Sequence, residues 1–244
     1  MVEGRVRLDQ ALVAQGLVSS RQRAQAMVRA GLVRVAGEVA DRPDQLVSPT
    51  VGIDLAGTKA FVSRGGEKLT AALDAFDFDP AGRVCLDVGA STGGFTDALL
   101  RRGASVVVAV DVGYGQLDFR LRRDPRVIVL ERVNIRHLDR LPVPADLAVI
   151  DVSFISLRLV LPRVSELLSP PGDVIALVKP QFEVGKGAVG KGGVVRDPAQ
   201  HQQVLDAISD FARELGYLKA GQMPSPIQGA KGNREFLLYL RRNG

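Results

Sequence analysis

The stretch Val84-Cys-Leu-Asp-Val-Gly-Ala-Ser-Thr-Gly-Gly-Phe-Thr96 passes from an apolar run through a glycine-rich turn into a helical pattern. Its glycines let the backbone approach a ligand closely, as happens where a strand hands over to a helix at the carboxyl edge of a parallel sheet. Further apolar runs follow near Val106 to Val110, Val127 to Leu130, Leu147 to Ile150 and Val174 to Val178. Helices are expected near Glu67 to Phe76, Gly94 to Arg102, Leu157 to Leu168 and Pro198 to Leu215, the last with Asp197 as N-cap and Pro198 at the first helical position. This alternation predicts an α/β fold over residues 66–244: an open, largely parallel sheet with helices on both faces. Glu235 to Leu240 reads as one more strand.

Ligands of such sheets bind beyond the carboxyl ends of the strands, where this chain concentrates glycine and polar residues. A nucleotide-like cofactor is therefore expected against Asp87, Gly89, Ala90, Ser91, Thr92, Gly93, Gly94 and Phe95. Asp111 closes the second strand about twenty residues on, where a carboxylate accepts from ribose hydroxyls. The glycine spacing is G-x-x-x-G-G and not G-x-G-x-x-G, so S-adenosyl-L-methionine suits the turn better than a dinucleotide. No G-x-x-x-x-G-K-[ST] occurs, which argues against a nucleoside triphosphatase.

Residues 1–58 form a unit of their own. Leu8, Leu12 and Val13 stand at helical spacing before Gly16, and Ser19 or Ser20 caps a second helix that Gly31 ends. Leu32 to Ala40 alternates around Ala36-Gly37, a hairpin signal. Arg7, Arg21, Arg23 and Arg34 form a basic cluster suited to phosphates, or equally a solvated basic face. Residues 59–65 read as an interdomain linker containing Arg64, with Phe61 either packed between domains or touching RNA.

The chain has 244 residues, 46% hydrophobic, with a formal charge of +5 that fits a polyanionic partner without fixing a function. No apolar run is long enough for a membrane span and the N-terminus lacks a signal peptide's apolar centre, so a cytoplasmic location is expected. The single cysteine, Cys85, falls in a strand pattern and is expected in the core, which excludes internal disulfides and a cysteine zinc site. His137 and His201 show no metal-ligand spacing, so no metal is expected, and both read as surface residues.

The remaining chemistry lies at Lys68, Asp151, Lys179 and Glu235, each at the edge of an expected element. Two lysines and two carboxylates in one cleft suit methyl transfer to a weakly acidic hydroxyl, which needs an oriented oxygen and help for its departing proton. Asp151 and Glu235 flanking Lys179 would hold it cationic, whereas desolvation would oppose that, so its protonation during reaction stays open. Taken singly, each reads as an ordinary surface ion pair.

Together these residues carry a resemblance. Ser63-Arg-Gly-Gly-Glu-Lys68, Asp87 to Phe95, Asp151-Val-Ser-Phe and Val178-Lys-Pro-Gln-Phe-Glu183 resemble the haemolysin-A-like (TlyA) ribosomal RNA methyltransferases. Arg7-Leu-Asp-Gln-Ala-Leu12, Ser20-Arg-Gln-Arg-Ala24 and Gly31-Leu-Val-Arg-Val-Ala-Gly37 resemble the RNA-binding domain named after the fourth small-subunit ribosomal protein. The resemblance implies a small α+β RNA-binding domain ahead of an FtsJ-like domain with a Rossmann-like class I methyltransferase sheet. It further implies a catalytic tetrad of Lys68, Asp151, Lys179 and Glu235, with cofactor contacts from Gly89 to Phe95, Asp111 and Asn134. The implied reaction is methylation of the ribose 2′-hydroxyl of cytidine in 16S or 23S ribosomal RNA within ribosomal subunits. Known members often read R-x-W-V in the linker, whereas this chain has Lys59-Ala-Phe-Val62. A non-catalytic ribosome-assembly factor and a pore-forming haemolysin are the competing readings, and oligomeric state is left open. The glycine-rich stretch Gly185 to Gly193 could bring Lys186 and Lys191 to phosphates or be a solvated loop; Phe182 could stack on a flipped base or pack in the core.

Overall fold

The computed structural model describes residues 4–55, 61–185, 189–190 and 192–242. The chain divides into two compact units, residues 1–59 and 60–244. The first holds β1 (Val6–Arg7), α1 (Leu8–Ala14), α2 (Arg21–Arg29), β2 (Val33–Val35), β3 (Glu38–Val39), β4 (Leu46–Val47) and β5 (Ile53–Leu55). Ser20 is the N-cap of α2, its hydroxyl accepting from the Arg23 amide at 3.3 Å. The β2–β3 hairpin turns on Ala36 (φ +50°) and Gly37 (φ +89°), the two consecutive left-handed residues that a tight two-residue turn requires. Leu8, Leu12, Ala24, Val28, Val33 and Ile53 close its core.

The second unit runs α3 (Gly65–Ala75), β6 (Val84–Val88), α4 (Gly94–Arg101), β7 (Val106–Asp111), α5 (Phe119–Arg123), β8 (Val127–Glu131), β9 (Ala145–Ile150), α6 (Leu161–Leu167), β10 (Leu168–Val178), α7 (Pro180–Glu183), α8 (Pro198–Glu214), β11 (Tyr217–Pro224) and β12 (Phe236–Arg242). These strands form one seven-stranded sheet in the order β11-β12-β10-β9-β6-β7-β8. Five strands, β6 to β10, are mutually parallel, while β12 runs antiparallel to both β10 and β11. Successive residues serve opposite faces: Cys85, Val107, Leu147 and Ile175 pack under α3 and α4, and Leu86, Val108, Ala148 and Ala176 pack with α6 and α8. Burial on both faces explains why these strands read as unbroken apolar runs. Cys85 is fully buried in this core, and burial pushes its thiol up to about 12.

One expectation is corrected and one element is new. The helix expected from Leu157 to Leu168 is a 3-10 turn over Leu157–Leu159 followed by α6, and Leu168 already begins β10. Pro162 lies in the first turn of α6; a helix continuous from Leu157 would put this residue, which lacks an N–H, in its interior. The edge strand β11 was not anticipated, because Lys219, Gly221 and Gln222 break its apolar alternation.

Candidate active site

Three of the expected carboxylates and one lysine lie at one edge of the seven-stranded sheet. Val88 pairs with Val110 on one side and Ile150 on the other, and Ile150 pairs with Ala176, so Gly89, Asp111, Asp151 and Lys179 emerge from neighbouring strand ends. Because β12 is antiparallel and Phe236 pairs with Val178, the residue before β12, Glu235, arrives at the same edge.

The glycine turn after β6 is shaped by contacts that a side chain would obstruct. Gly89 has φ +84°, and a Cβ there would stand 2.6 Å from the Asp151 carbonyl oxygen. Gly93 has φ +95°, and a Cβ would run into Leu121 and Leu117; one on Gly94 would run into Ser63. Asp111 fastens the turn, its Oδ2 accepting from the Ser91 amide at 2.8 Å and its Oδ1 from the Gly113 amide at 2.6 Å. Each oxygen keeps a lone pair for a further donor. Asn134 Oδ1 accepts from the Arg136 amide at 3.1 Å. A cavity of about 520 Å³ opens between these strand ends, lined by Gly89, Ser91, Asp111, Asn134, Ser153 and Phe154 among others.

Below the turn, Asp87 is fully buried. Its Oδ2 accepts from the Thr96 hydroxyl at 2.6 Å, while Oδ1 has no partner. Burial, reinforced by the negative charge of Asp151, pushes this carboxyl up to about 7 against the opposing Thr96 hydrogen bond. Ala90 and Phe95 are buried in the core, although their edges, with Thr92 and Gly94, border a second cavity.

That second cavity, about 280 Å³, is lined by Arg64, Lys68, Asp151, Ser153 and Lys179 and shares Gly89, Ser91, Asp151 and Ser153 with the first. The four expected residues come together as two ion pairs. Lys179 Nζ lies 2.6 Å from Asp151 Oδ1 and donates to the Ser153 hydroxyl at 2.9 Å. Lys68 Nζ donates to Glu235 Oε2 at 2.5 Å, with both side chains almost entirely buried. Glu235 thus serves Lys68, and Asp151 is the carboxylate at Lys179. Buried lysines held by carboxylates at a cavity wall are unlike the solvated surface pairs that each residue suggests singly.

In the first unit, Arg7 and Arg21 converge on Asp9, a fully buried carboxylate. Arg7 donates from Nε and a terminal nitrogen at 3.1 Å each, Arg21 at 3.2 Å and Gln25 at 2.8 Å. Hydrogen bonds from Arg7 hold the Asp9 carboxyl well below the usual range against the effect of burial, helped by Gln25 and Arg21. Arg23 is exposed, and Arg34 donates to the Gly37 carbonyl at 3.0 Å. Lys59, Lys186 and Lys191 lie outside the described residues.

His201 corrects the surface expectation: it is buried in α8, with a ring nitrogen 2.9 Å from the Val195 carbonyl and the ring centroid 5.4 Å from that of Phe236. His137 is exposed. Phe61 packs against Gly66 of α3, with the Arg101 guanidinium 5.1 Å from its ring centroid. Phe182 stacks obliquely on Phe154, centroids 5.0 Å apart, and Phe154 is 90% exposed at φ +63°. Phe154, Ser153, Glu183 and Gly229 were not singled out from sequence, although the first three lie inside the motifs Asp151-Val-Ser-Phe and Lys179-Pro-Gln-Phe-Glu183.

An α/β sheet with a glycine cradle beside two lysine–carboxylate pairs defines a methyltransferase class, and comparison with known proteins agrees. Residues 61–242 match the FtsJ-like methyltransferase family and residues 6–52 the S4 domain, so the chain belongs to the FtsJ-like methyltransferases and carries an N-terminal S4 domain. It is 51% identical over 241 residues to the 16S/23S rRNA (cytidine-2′-O)-methyltransferase TlyA of Mycobacterium tuberculosis, covering 97% of this chain and 90% of that one. It is 38% identical to a protein named Hemolysin A from Brachyspira hyodysenteriae, covering 96% of this chain and 99% of that one. A solved chain of Streptococcus thermophilus whose description also carries the word hemolysin superposes with a TM-score of 0.74 at 42% identity, covering 99% of this chain and 90% of that one. Among the described residues no helix is long and apolar enough to cross a membrane.

Proposed function

We propose that the protein transfers a methyl group from S-adenosyl-L-methionine to the ribose 2′-hydroxyl of cytidine in ribosomal RNA. The observation that carries this reading is that the Lys179–Asp151 pair stands where the cradle cavity meets the second cavity, with the buried Lys68–Glu235 pair behind. The cradle suits the cofactor: Gly89 on the cavity wall leaves no room for a side chain, and Asp111 keeps lone pairs for ribose hydroxyls. Asn134, which lines the same cavity, takes the adenine in this reading. When bound there, S-adenosylmethionine supplies an electrophilic methyl on a sulfonium that leaves as a neutral thioether.

Lys179 orients the attacking 2′-oxygen, and the Lys179–Asp151 pair takes the hydroxyl proton as the new carbon–oxygen bond forms. Ser153 limits where the Lys179 ammonium can swing. Lys68, held by Glu235, supplies a fixed positive charge toward the oxygen as it gains negative character. Phe154 and Phe182 offer a stacking face to the target base once it leaves its helix. The S4 domain, with Arg7, Arg21, Arg23 and Arg34, engages phosphates of the same RNA, joined by Arg64, Lys186 and Lys191. Transfer of labelled methyl to unmodified small and large ribosomal subunits, with nucleoside mass spectrometry and a Lys179→Ala control, tests the reading. Ribose label that disappears in the control supports it, and full activity of Lys179→Ala overturns it.

A further inference from the structure

The loop that follows β9 and the segment that follows β10 are tied together at three successive levels. Lys179 meets Asp151 and Ser153, Phe182 meets Phe154, and Glu183 meets Ser156 and Leu157. The first two levels belong to the proposed chemistry and base contact. The third touches neither cavity assigned to cofactor and substrate.

Glu183 accepts from the Ser156 hydroxyl at 2.6 Å through Oε2 and from the Leu157 amide at 2.9 Å through Oε1. A carboxylate only accepts, so Ser156 must donate to it, which frees the Ser156 oxygen to accept from the Arg158 amide at 3.2 Å. The direction of the whole chain of bonds is thereby set. What it holds is a strained segment: Phe154 keeps a left-handed backbone with its side chain in solvent, a state that persists only when its neighbours over-determine it. Loop residues Val152 to Ile155 have Asp151 and its Lys179 bond at one end and the Glu183 bonds at the other. Burial raises the Glu183 carboxyl above the usual range, yet both of its hydrogen bonds favour the ionised form.

We propose that Glu183 is a positioning residue for methyl transfer: it pins the far end of loop 151–157 so that Ser153 stays at Lys179 and Phe154 stays at the cavity mouth. The inference deepens the proposed function and rests on it for its kinetic consequence. The pinning itself is read without any activity, by hydrogen exchange.

Wild-type protein, Glu183→Ala, Glu183→Gln and Ser156→Ala are compared by amide exchange and by methyl transfer to ribosomal subunits. Glu183→Ala is expected to speed exchange over residues 152–158 while β6 and β7 stay protected, and to lower kcat by roughly 10- to 100-fold. Glu183→Gln keeps an acceptor for the Leu157 amide and is expected to recover part of that loss. Unchanged exchange over 152–158, unchanged kcat, or exchange that rises equally across the whole unit overturns the proposal. Should Glu183→Ala fail to fold, Ser156→Ala, which removes the Ser156 bonds to Glu183 and to the Arg158 amide and leaves the carboxylate in place, decides by the same criteria. An inactive wild-type protein would count against the proposed reaction, while the exchange result would still decide whether Glu183 pins the loop.

Discussion

Gly229 faces the carboxylate of Glu235 with no side chain of its own, and a Cβ at position 229 would collide with Oε1 and Cδ of that residue. Its backbone φ is −75°, so space and not conformation demands glycine. Gly229→Ala is expected to cost about 1–3 kcal/mol through overpacking. By pushing Glu235 off Lys68 it should also lower kcat at least about tenfold, the equivalent of roughly 1.4 kcal/mol in the barrier. Urea unfolding and single-turnover methyl transfer check the two effects separately; a fully active Gly229→Ala would show that the Lys68–Glu235 geometry is not critical.

Stability and chemistry can also be separated at the buried pair itself. Lys68→Met leaves Glu235 buried without its cation and is expected to destabilise the fold by about 3–5 kcal/mol. Lys68→Met combined with Glu235→Leu removes both charges and should regain most of that loss while methyl transfer stays absent. A double variant no more stable than Lys68→Met would contradict this account.

Asp87 gives the fold a pH dependence opposite in sign to that of an ion-paired carboxylate. Its pKa is raised from 3.8 to about 7, so between those values the folded state holds a proton that the unfolded chain has released. Stability from this residue is therefore greatest at the acidic end, falls as pH rises through the window, and levels off above about 7. Urea midpoints compared at pH 5.5 and 8.5 should show a drop that shrinks in Asp87→Asn. The same drop in both proteins would assign it to other groups.

Asp9 is expected to matter for RNA without touching the cofactor. Asp9→Asn removes the negative charge and one of the two oxygens that Arg7, Arg21 and Gln25 share, leaving a single amide oxygen that cannot hold both arginines in a fixed direction. Binding to ribosomal subunits should weaken by roughly tenfold, the factor that about 1.4 kcal/mol supplies, with S-adenosylmethionine affinity unchanged. Filter binding and calorimetry measure the two; a parallel fall in both would point to a general loss of structure.

Much of this architecture is legible in the chain because its causes are local. Strand β6 falls at Val84–Val88 as expected, since a strand buried on both faces is a plain apolar run, and Asp197-Pro198 announces α8. What stays hidden is set at long range. Which carboxylate serves which lysine depends on the pairing of β12 with β10, and Lys68 and Glu235 are 167 residues apart. His201 was legible in principle: with Val204, Leu205, Ile208 and Ala212 it lies on the buried stripe of α8, at offsets that helical periodicity shares, but its polarity masked the pattern. The break at Pro162 was likewise open to reading from proline's missing donor.

The insertion of β12 between β10 and β11 makes the Lys68–Glu235 pair depend on the far end of the chain. Gly89, Asp111 and Asp151 stand at the ends of β6, β7 and β9, whereas Glu235 is carried to the same edge by β12. A chain cut before β12 would keep every residue that lines the first cavity and lose the partner of Lys68.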